Sequence, residues 1–441
     1  MKNVFFINDI TENKISFYHL ACFLAVLPFD FFYSEIILIS FALHTLLHAK
    51  RANLANIFTK PVGVISSLYL LGLVAILYSP DIREAVNVAT RQLAILILPV
   101  LFALSNLDLR KYTMNLVCIF GFACTLTMLY LYADALHTIF YFKLPLTSLF
   151  RLIFMNHNFS APIGIHATYL SVYTAFSLIS FLYLVVTKKA LQQKWVYVVA
   201  TVILFAGLLQ LSSRSVFVAF LIVINLVFPF LLFKGRKLVR IFLTTSLISV
   251  ALLLLIYNID SFKTRYINEL KVDLTGHFKI IENTEPRLAR WNGIFELIKR
   301  SPIIGYGSGS EKKLLKEKYF EKGLYNSYLN EFNAHNEYLS ILIKTGVIGL
   351  ILFLYVLYFG FASAIRTRDT LFLSFMVIIT VVSLSENILD LNKGIFFYAF
   401  FFAVFLGKER LQTVKNTVAE VSKPGNPNNL NSVLISENNN R

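Results

Sequence analysis

Stretches of about 20 apolar residues recur along the whole chain, separated by short polar connectors, and no other feature limits its fold as severely. A hydrocarbon core offers no partner to backbone N–H and C=O groups, so segments of this kind must satisfy their own hydrogen bonds as helices. A window of that length gives about twelve spans, at 15–31, 33–48, 62–79, 91–106, 113–134, 166–187, 195–211, 215–233, 240–258, 337–361, 369–385 and 391–407. The first two read either as one long helix or as a tight hairpin, because Asp30 and Glu35 interrupt the run. The fold class is therefore an all-α integral membrane protein of about twelve transmembrane helices, with a large helical outer loop between spans nine and ten. Composition agrees. The chain is 57% hydrophobic and 15% charged, where a soluble domain is about 45–50% apolar and about 25% charged. A nucleic-acid partner would account for the net charge of +16 but not for the apolar excess. Cys22, Cys118 and Cys124 fall inside apolar runs and read as small buried hydrophobes rather than as a disulfide framework.

Lys and Arg resist translocation, so the basic connectors set the orientation. With the N-terminus inside, every inner connector is basic: Lys2 and Lys14; Lys50, Arg51 and Lys60; Arg110 and Lys111; Lys188, Lys189 and Lys194; Lys234, Arg236, Lys237 and Arg240; Arg366 and Arg368. The short outer connectors carry few cations among acids such as Asp81, Glu84, Asp134, Glu386 and Asp390. Shifting the phase by one span reverses this pattern, so both termini are expected in the cytoplasm. The polar N-terminus lacks a small-residue cleavage pattern and reads as uncleaved. Four parts follow: residues 1–259 with spans one to nine, an outer lobe at 260–336, spans ten to twelve at 337–407, and a tail at 408–441 whose Asn, Pro and Ser content reads as disordered.

Within the lobe, Trp291, Ile294, Phe295 and Ile298 recur at helical spacing and place an apolar face on a short helix that Pro302 stops. Ser308 three residues before Glu311 has the spacing of a capping box for a second helix through KKLLKEKYFEK. The intervening IIGYGSGS has neither a preceding strand nor a terminal GK[ST], so a nucleotide-phosphate loop is disfavoured and a turn between two interfacial helices is expected. Topology alone brings four groups to one membrane face: Arg214 in QLSSRSVF, Arg287 and Arg290 in EPRLARWNG, and His335 in FNAHNEYLSIL. Guanidinium forks match phosphate oxygens, and a histidine at a helix N-terminus can move a proton near neutral pH. Taken singly, Arg214 reads equally as a snorkelling interfacial cation, Arg287 and Arg290 as solvated helix charges, and His335 as structural.

The order RLARW, SPIIGYGSG, AHNEYLSILIKTGVIGL resembles the O-antigen ligase and polymerase superfamily of bacterial envelope glycosyltransferases. In that family an Arg four before a Trp, a Pro-x-x-Gly-x-Gly turn and a His-Asn pair lead into a Gly-containing helix. Here these are Arg287 with Trp291, Pro302 to Gly307, His335 with Asn336, and Gly346 with Gly349. SSRS resembles the family's Ser-Arg turn and supplies Arg214; IHATYLSVY, with His166 and Tyr169, is similar to a further family feature, as are the segments around Arg91 and Glu386. The resemblance implies a C-type membrane fold and inverting, metal-independent glycan transfer on the periplasmic face of the bacterial inner membrane. It implies an undecaprenyl-diphosphate-linked glycan as donor, a lipid or glycan acceptor such as lipid A-core, no cofactor, contact with membrane lipids, and no nucleic-acid partner. Catalytic roles fall on Arg214 and Arg287, which hold the diphosphate, and on His335, which acts as base or orients the acceptor. Arg290, His166, Tyr169, Asn336, Lys344 and Arg91 are the expected substrate-binding residues. Lys344 lies nine residues past His335, about 13 Å along the helix, where an ionisable group is costly and reads either as cavity lining or as a structural partner of Glu337. Ligase and polymerase readings need the same site. A transporter or flippase would show two related halves, and no such repeat is present.

Overall fold

Helix forms on each apolar stretch in the computed structural model, which describes residues 2–29, 32–187, 194–275 and 285–421. The first half contains α1 (Thr11–Val26), α2 (Phe32–Leu47), α3 (Lys60–Val74), α4 (Ile82–Gln92), α5 (Ala94–Leu104), α6 (Leu109–Tyr141), α7 (Ala167–Thr187) and α8 (Lys194–Leu211). It continues through α9 (Arg214–Ile222), which runs on by a π turn to Leu232, and α10 (Gly235–Asn258). The lobe holds α11 (Glu269–Thr275), α12 (Arg287–Arg300), α13 (Glu311–Glu321) and α14 (Tyr325–Leu329). The chain closes with α15 (Glu337–Arg366), α16 (Thr370–Val382) and α17 (Asn392–Val421). No strand occurs among the described residues. Asp30, Lys188, Lys189, the lobe segment 276–284 and the tail from 422 lie outside them. The last helix runs through 408–421, the first part of the tail read as disordered.

Among the described residues, seven helices are long and apolar enough to cross a membrane, or eight if the pair Arg51–Phe58 and Lys60–Val74, bent by 61°, forms one span. That differs from about twelve because several helices are short: α2 has 16 residues, α16 has 13, and the apolar part of α17 ends at Gly407. The shortness of α16 has a local cause. After Val382 the chain leaves the helix and folds inward as the segment 383–391, which carries Glu386, Asn387 and Asp390 into the site described below.

Burial separates centre from periphery. In α7, 72% of the apolar window is buried by protein, whereas in α10 only 6% is, so α7 is a central helix and α10 presents most of its surface outward. Around α7 the rings of Phe176, Phe375, Phe397, Phe401 and Phe405 pack with centroid distances such as 4.7 Å between Phe176 and Phe401 and 5.6 Å between Phe375 and Phe397. Edge-on and tilted contacts of this kind add to area burial. Thr174 and Ser180 sit in the same buried helix because each hydroxyl donates to the carbonyl one turn earlier, on Leu170 and Phe176.

The lobe has its own small core of Ile294, Leu297, Leu315, Tyr319 and Leu324, closed by Leu339 and Ile343 of α15. The apolar face of α12 is rotated from the one the spacing predicts: Leu297 is buried while Phe295 is 43% exposed. Leu297 belongs to the buried cluster that includes Leu315 and Tyr319 of α13, neighbours that spacing within one helix cannot reveal.

The glycine-rich loop is not a free turn between interfacial helices. At Gly346, α15 breaks (φ 61°, ψ −160°), and the loop plugs the break. Tyr306 and Gly307 donate to the carbonyls of Ile343 and Lys344, while Val347 donates back to Pro302. A Cβ on Gly305 would stand 2.5 Å from the Ile343 carbonyl oxygen, and one on Gly346 2.3 Å from that of Ile303, so backbone meets backbone there and no side chain fits. Unsatisfied groups at a helix break are thus paired by the loop, the condition for irregular backbone at membrane depth. The Ser308–Glu311 capping box does not form: Ser308 donates to Gly72 of α3, and Glu311 reaches across to α15.

Candidate active site

Three local devices aim the site residues. A left-handed Ser212 (φ 49°) turns the chain between α8 and α9 and leaves Arg214 as the first residue of α9. Pro286, unable to donate its nitrogen, precedes α12 and leaves Arg287 at its start. His335 (φ 45°) stands just before Asn336, whose side chain caps α15 by accepting from Leu339 N at 3.1 Å. A bulky residue held at positive φ is strained, and Asn333 offsets this by accepting the His335 N–H at 3.0 Å.

Arg214, Arg287 and His335, far apart in sequence, share a chain of carboxylates. Asp273 places Oδ2 2.6 Å from Arg214 Nη2 and 3.6 Å from Arg287 Nε. On its other side, Arg287 donates from Nη1 to the Ser385 carbonyl at 3.0 Å and lies 4.0 Å from Glu386 Oε1. Glu386 Oε2 in turn meets His335 Nδ1 at 3.2 Å. Burial by itself raises the Glu386 carboxyl, but the bond to His335 and the charges of His335, His166 and Arg287 outweigh it and hold it down at about 2. Glu386 is then a carboxylate at any physiological pH and accepts the Nδ1 proton of His335, which leaves Nε2 as the ring nitrogen turned away from it. One buried nitrogen of Arg214, Nη1, has no hydrogen-bond partner among the described residues.

The remaining expected residues divide by what their polar atoms touch. The Arg290 guanidinium lies 5.3 Å above the Phe332 ring, which meets the His335 ring nearly at right angles with centroids 5.5 Å apart, and the Arg290 charge is near enough to Arg287 and Asp273 to interact with both. His166 packs against His157 with ring centroids 4.3 Å apart, and burial lowers the His157 imidazole to about 4. The Tyr169 hydroxyl is committed to the Asn387 carbonyl at 2.8 Å. Asn336 is likewise occupied, its amide donating to Leu384 O while its oxygen caps α15. Lys344 pairs with Glu311 at 2.9 Å and Asp390 at 3.0 Å instead of with Glu337, whose carboxylate accepts from Leu389 N. Arg91 pairs with Glu84 at 3.2 Å.

Four residues that sequence reasoning left without a site role hold the arrangement together: Asp273, Glu311, Asn333 and Asp390. Nothing in the local pattern marks Asp273, a lone acid in a polar segment. Glu311 was visible only as a helix-start acid, although its carboxylate also accepts from Ala334 N and from the Asn387 amide. Among the described residues no group of three or more His, Cys, Asp or Glu is arranged to hold a metal ion.

The arrangement can bind an anion between two guanidiniums and take a proton on a histidine fixed by a carboxylate. The O-antigen ligase family model matches residues 199–354, which contain Arg214, Arg287 and His335. A comparison with curated proteins finds no match.

Proposed function

On the match of residues 199–354 to the O-antigen ligase family, we propose that the chain is a membrane glycosyltransferase that moves a glycan from undecaprenyl diphosphate to an acceptor hydroxyl. The observation that carries this reading is the carboxylate of Asp273 lying between Arg214 and Arg287, within reach of His335 through Glu386. An anionic oxygen already fits between those guanidiniums, and a diphosphate would replace it there with charge-assisted bonds. In the transfer, the acceptor oxygen attacks the anomeric carbon as its proton passes to Nε2 of His335, and the bond to the diphosphate breaks with inversion. Arg214 and Arg287 stabilise the charge that gathers on the leaving diphosphate, and Glu386 stabilises the imidazolium. No metal takes part in this scheme.

The cell context follows from the same reading. The shorter helices α1, α2, α16 and α17 complete about twelve crossings, the termini lie in the cytoplasm, and the lobe and its arginines face the periplasm of the bacterial inner membrane. The acceptor is lipid A-core, which makes the enzyme an O-antigen ligase; a polymerase would run the same chemistry between two lipid-linked repeat units. A deletion strain separates the two. Loss of capped lipid with accumulation of long polymer identifies a ligase, and single-repeat products identify a polymerase. In complementation of that strain, Arg214→Ala, Arg287→Ala and His335→Ala each abolish transfer while the protein stays in the membrane. Wild-type glycan from all three variants overturns the assignment.

A further inference from the structure

A polar cavity of about 160 Å³ adjoins the site: Asn333, which accepts the His335 N–H, is one of its lining residues, and His335 is not. Its floor is the buried group of Lys344 with Glu311 and Asp390. Two ion pairs stand at its rim, Arg91 with Glu84 and Lys312 with Glu331, each partly exposed. Asn333 joins cavity and site: its amide donates to Asp390 Oδ2 at 3.2 Å, and its oxygen accepts the His335 N–H.

Size, charge and position limit what this cavity takes. It is too small for a drug-sized ligand, which needs about 300 Å³ or more, yet its volume equals that of about five waters, near the size of one sugar ring. The charged side chains lining it are three cations (Arg91, Lys312, Lys344) and four acids (Glu84, Glu311, Glu331, Asp390), each paired, so a phosphate finds no excess of positive charge there, whereas a single carboxylate, that of Asp273, lies between Arg214 and Arg287. Paired ions nonetheless keep spare lone pairs and N–H groups, and these suit hydroxyls, which both donate and accept. Inversion places the attacking oxygen and the leaving diphosphate on opposite sides of the anomeric carbon. The bonded order Arg214, Asp273, Arg287, Glu386, His335, Asn333, Asp390, Lys344 puts the cavity beyond the base, at the end away from the diphosphate.

We infer that this cavity is the subsite for a neutral sugar ring of the acceptor, held by Asp390, Lys344 and the Arg91–Glu84 pair, an inference that rests on the glycosyltransferase reading above. The test uses the full chain purified in detergent and two probes: delipidated core oligosaccharide of the host strain, and undecaprenyl diphosphate. The rim variant Arg91→Ala/Glu84→Ala should bind the oligosaccharide at least tenfold more weakly and the diphosphate as wild type does. Arg214→Ala should show the reverse. An unchanged thermal unfolding midpoint keeps the rim variant interpretable, and Lys312→Ala supplies a second rim site if it does not fold. Wild-type oligosaccharide binding by the rim variants overturns the subsite while leaving the glycosyltransferase reading intact. Weakened binding of a glycan-bearing diphosphate donor with acceptor binding unchanged overturns it as well, by giving the cavity to the donor. Undiminished diphosphate binding by Arg214→Ala would instead remove the reading beneath it.

Discussion

Glu386 is the residue on which the chemistry of His335 turns. Without a carboxylate at Nδ1 the imidazole has no fixed tautomer, so Glu386→Gln should lower transfer about a hundredfold or more, as removal of a positioned charge in a dry site does. Its pH behaviour has a definite sign. The folded carboxyl at about 2 lies below its ordinary 4.5, so Glu386 adds stability above pH 4.5 that is lost as pH falls through about 2. That shift is worth about 3 kcal/mol. Thermal unfolding followed from pH 6 to pH 3 should therefore show a steeper fall for wild type than for Glu386→Gln, and parallel curves would refute the pairing. At this scale the sequence was informative where chemistry is rare: an arginine at an outer turn, or a histidine before a helix, stands out against apolar neighbours. Asp273 and Glu311 did not, because an acid in a polar lobe is ordinary until folding brings a distant cation to it.

At the scale of elements, the decisive feature is the loop that plugs α15. Gly305 adopts φ 68° with a carbonyl 2.5 Å from where a Cβ would lie, so Gly305→Ala meets both backbone strain and a clash with main chain. A cost of about 2 kcal/mol or more is expected, seen as a lower unfolding midpoint and less protein in the membrane. Gly63→Ala in α3, where nothing lies within 4 Å, should be neutral or mildly stabilising. Equal behaviour of the two variants would remove the plug from the account. The apolar helices were legible because apolar runs and Pro or Gly stops are local signals, whereas α4, α11 and α14, which carry no apolar run, were not. The rotation of α12, the break at Gly346 and the fate of Ser308 were not, since each is settled by a contact with a segment remote in sequence.

For the whole molecule, the described helices and the O-antigen ligase match describe a membrane protein whose site is assembled from α9, α11, α12, the 383–391 segment and the entrance to α15. The proposed orientation predicts that a reporter inserted in the exposed α13–α14 turn signals from the periplasm and one after α10's basic start, at Lys234–Arg240, signals from the cytoplasm; exchanged signals would invert the topology. The positive charge on the chain is the basis of the proposed orientation and gave no hint of the site, where each of Arg214 and Arg287 is set against an acid. The central claim is tested most directly by transfer in vitro, with purified protein, a defined glycan on undecaprenyl diphosphate, a lipid A-core acceptor and excess EDTA. Wild type should form the capped acceptor with inverted linkage and release undecaprenyl diphosphate, and Arg214→Ala, Arg287→Ala and His335→Ala should each fall by about a hundredfold or more. Transfer that survives in all three variants, or that EDTA abolishes, would contradict it.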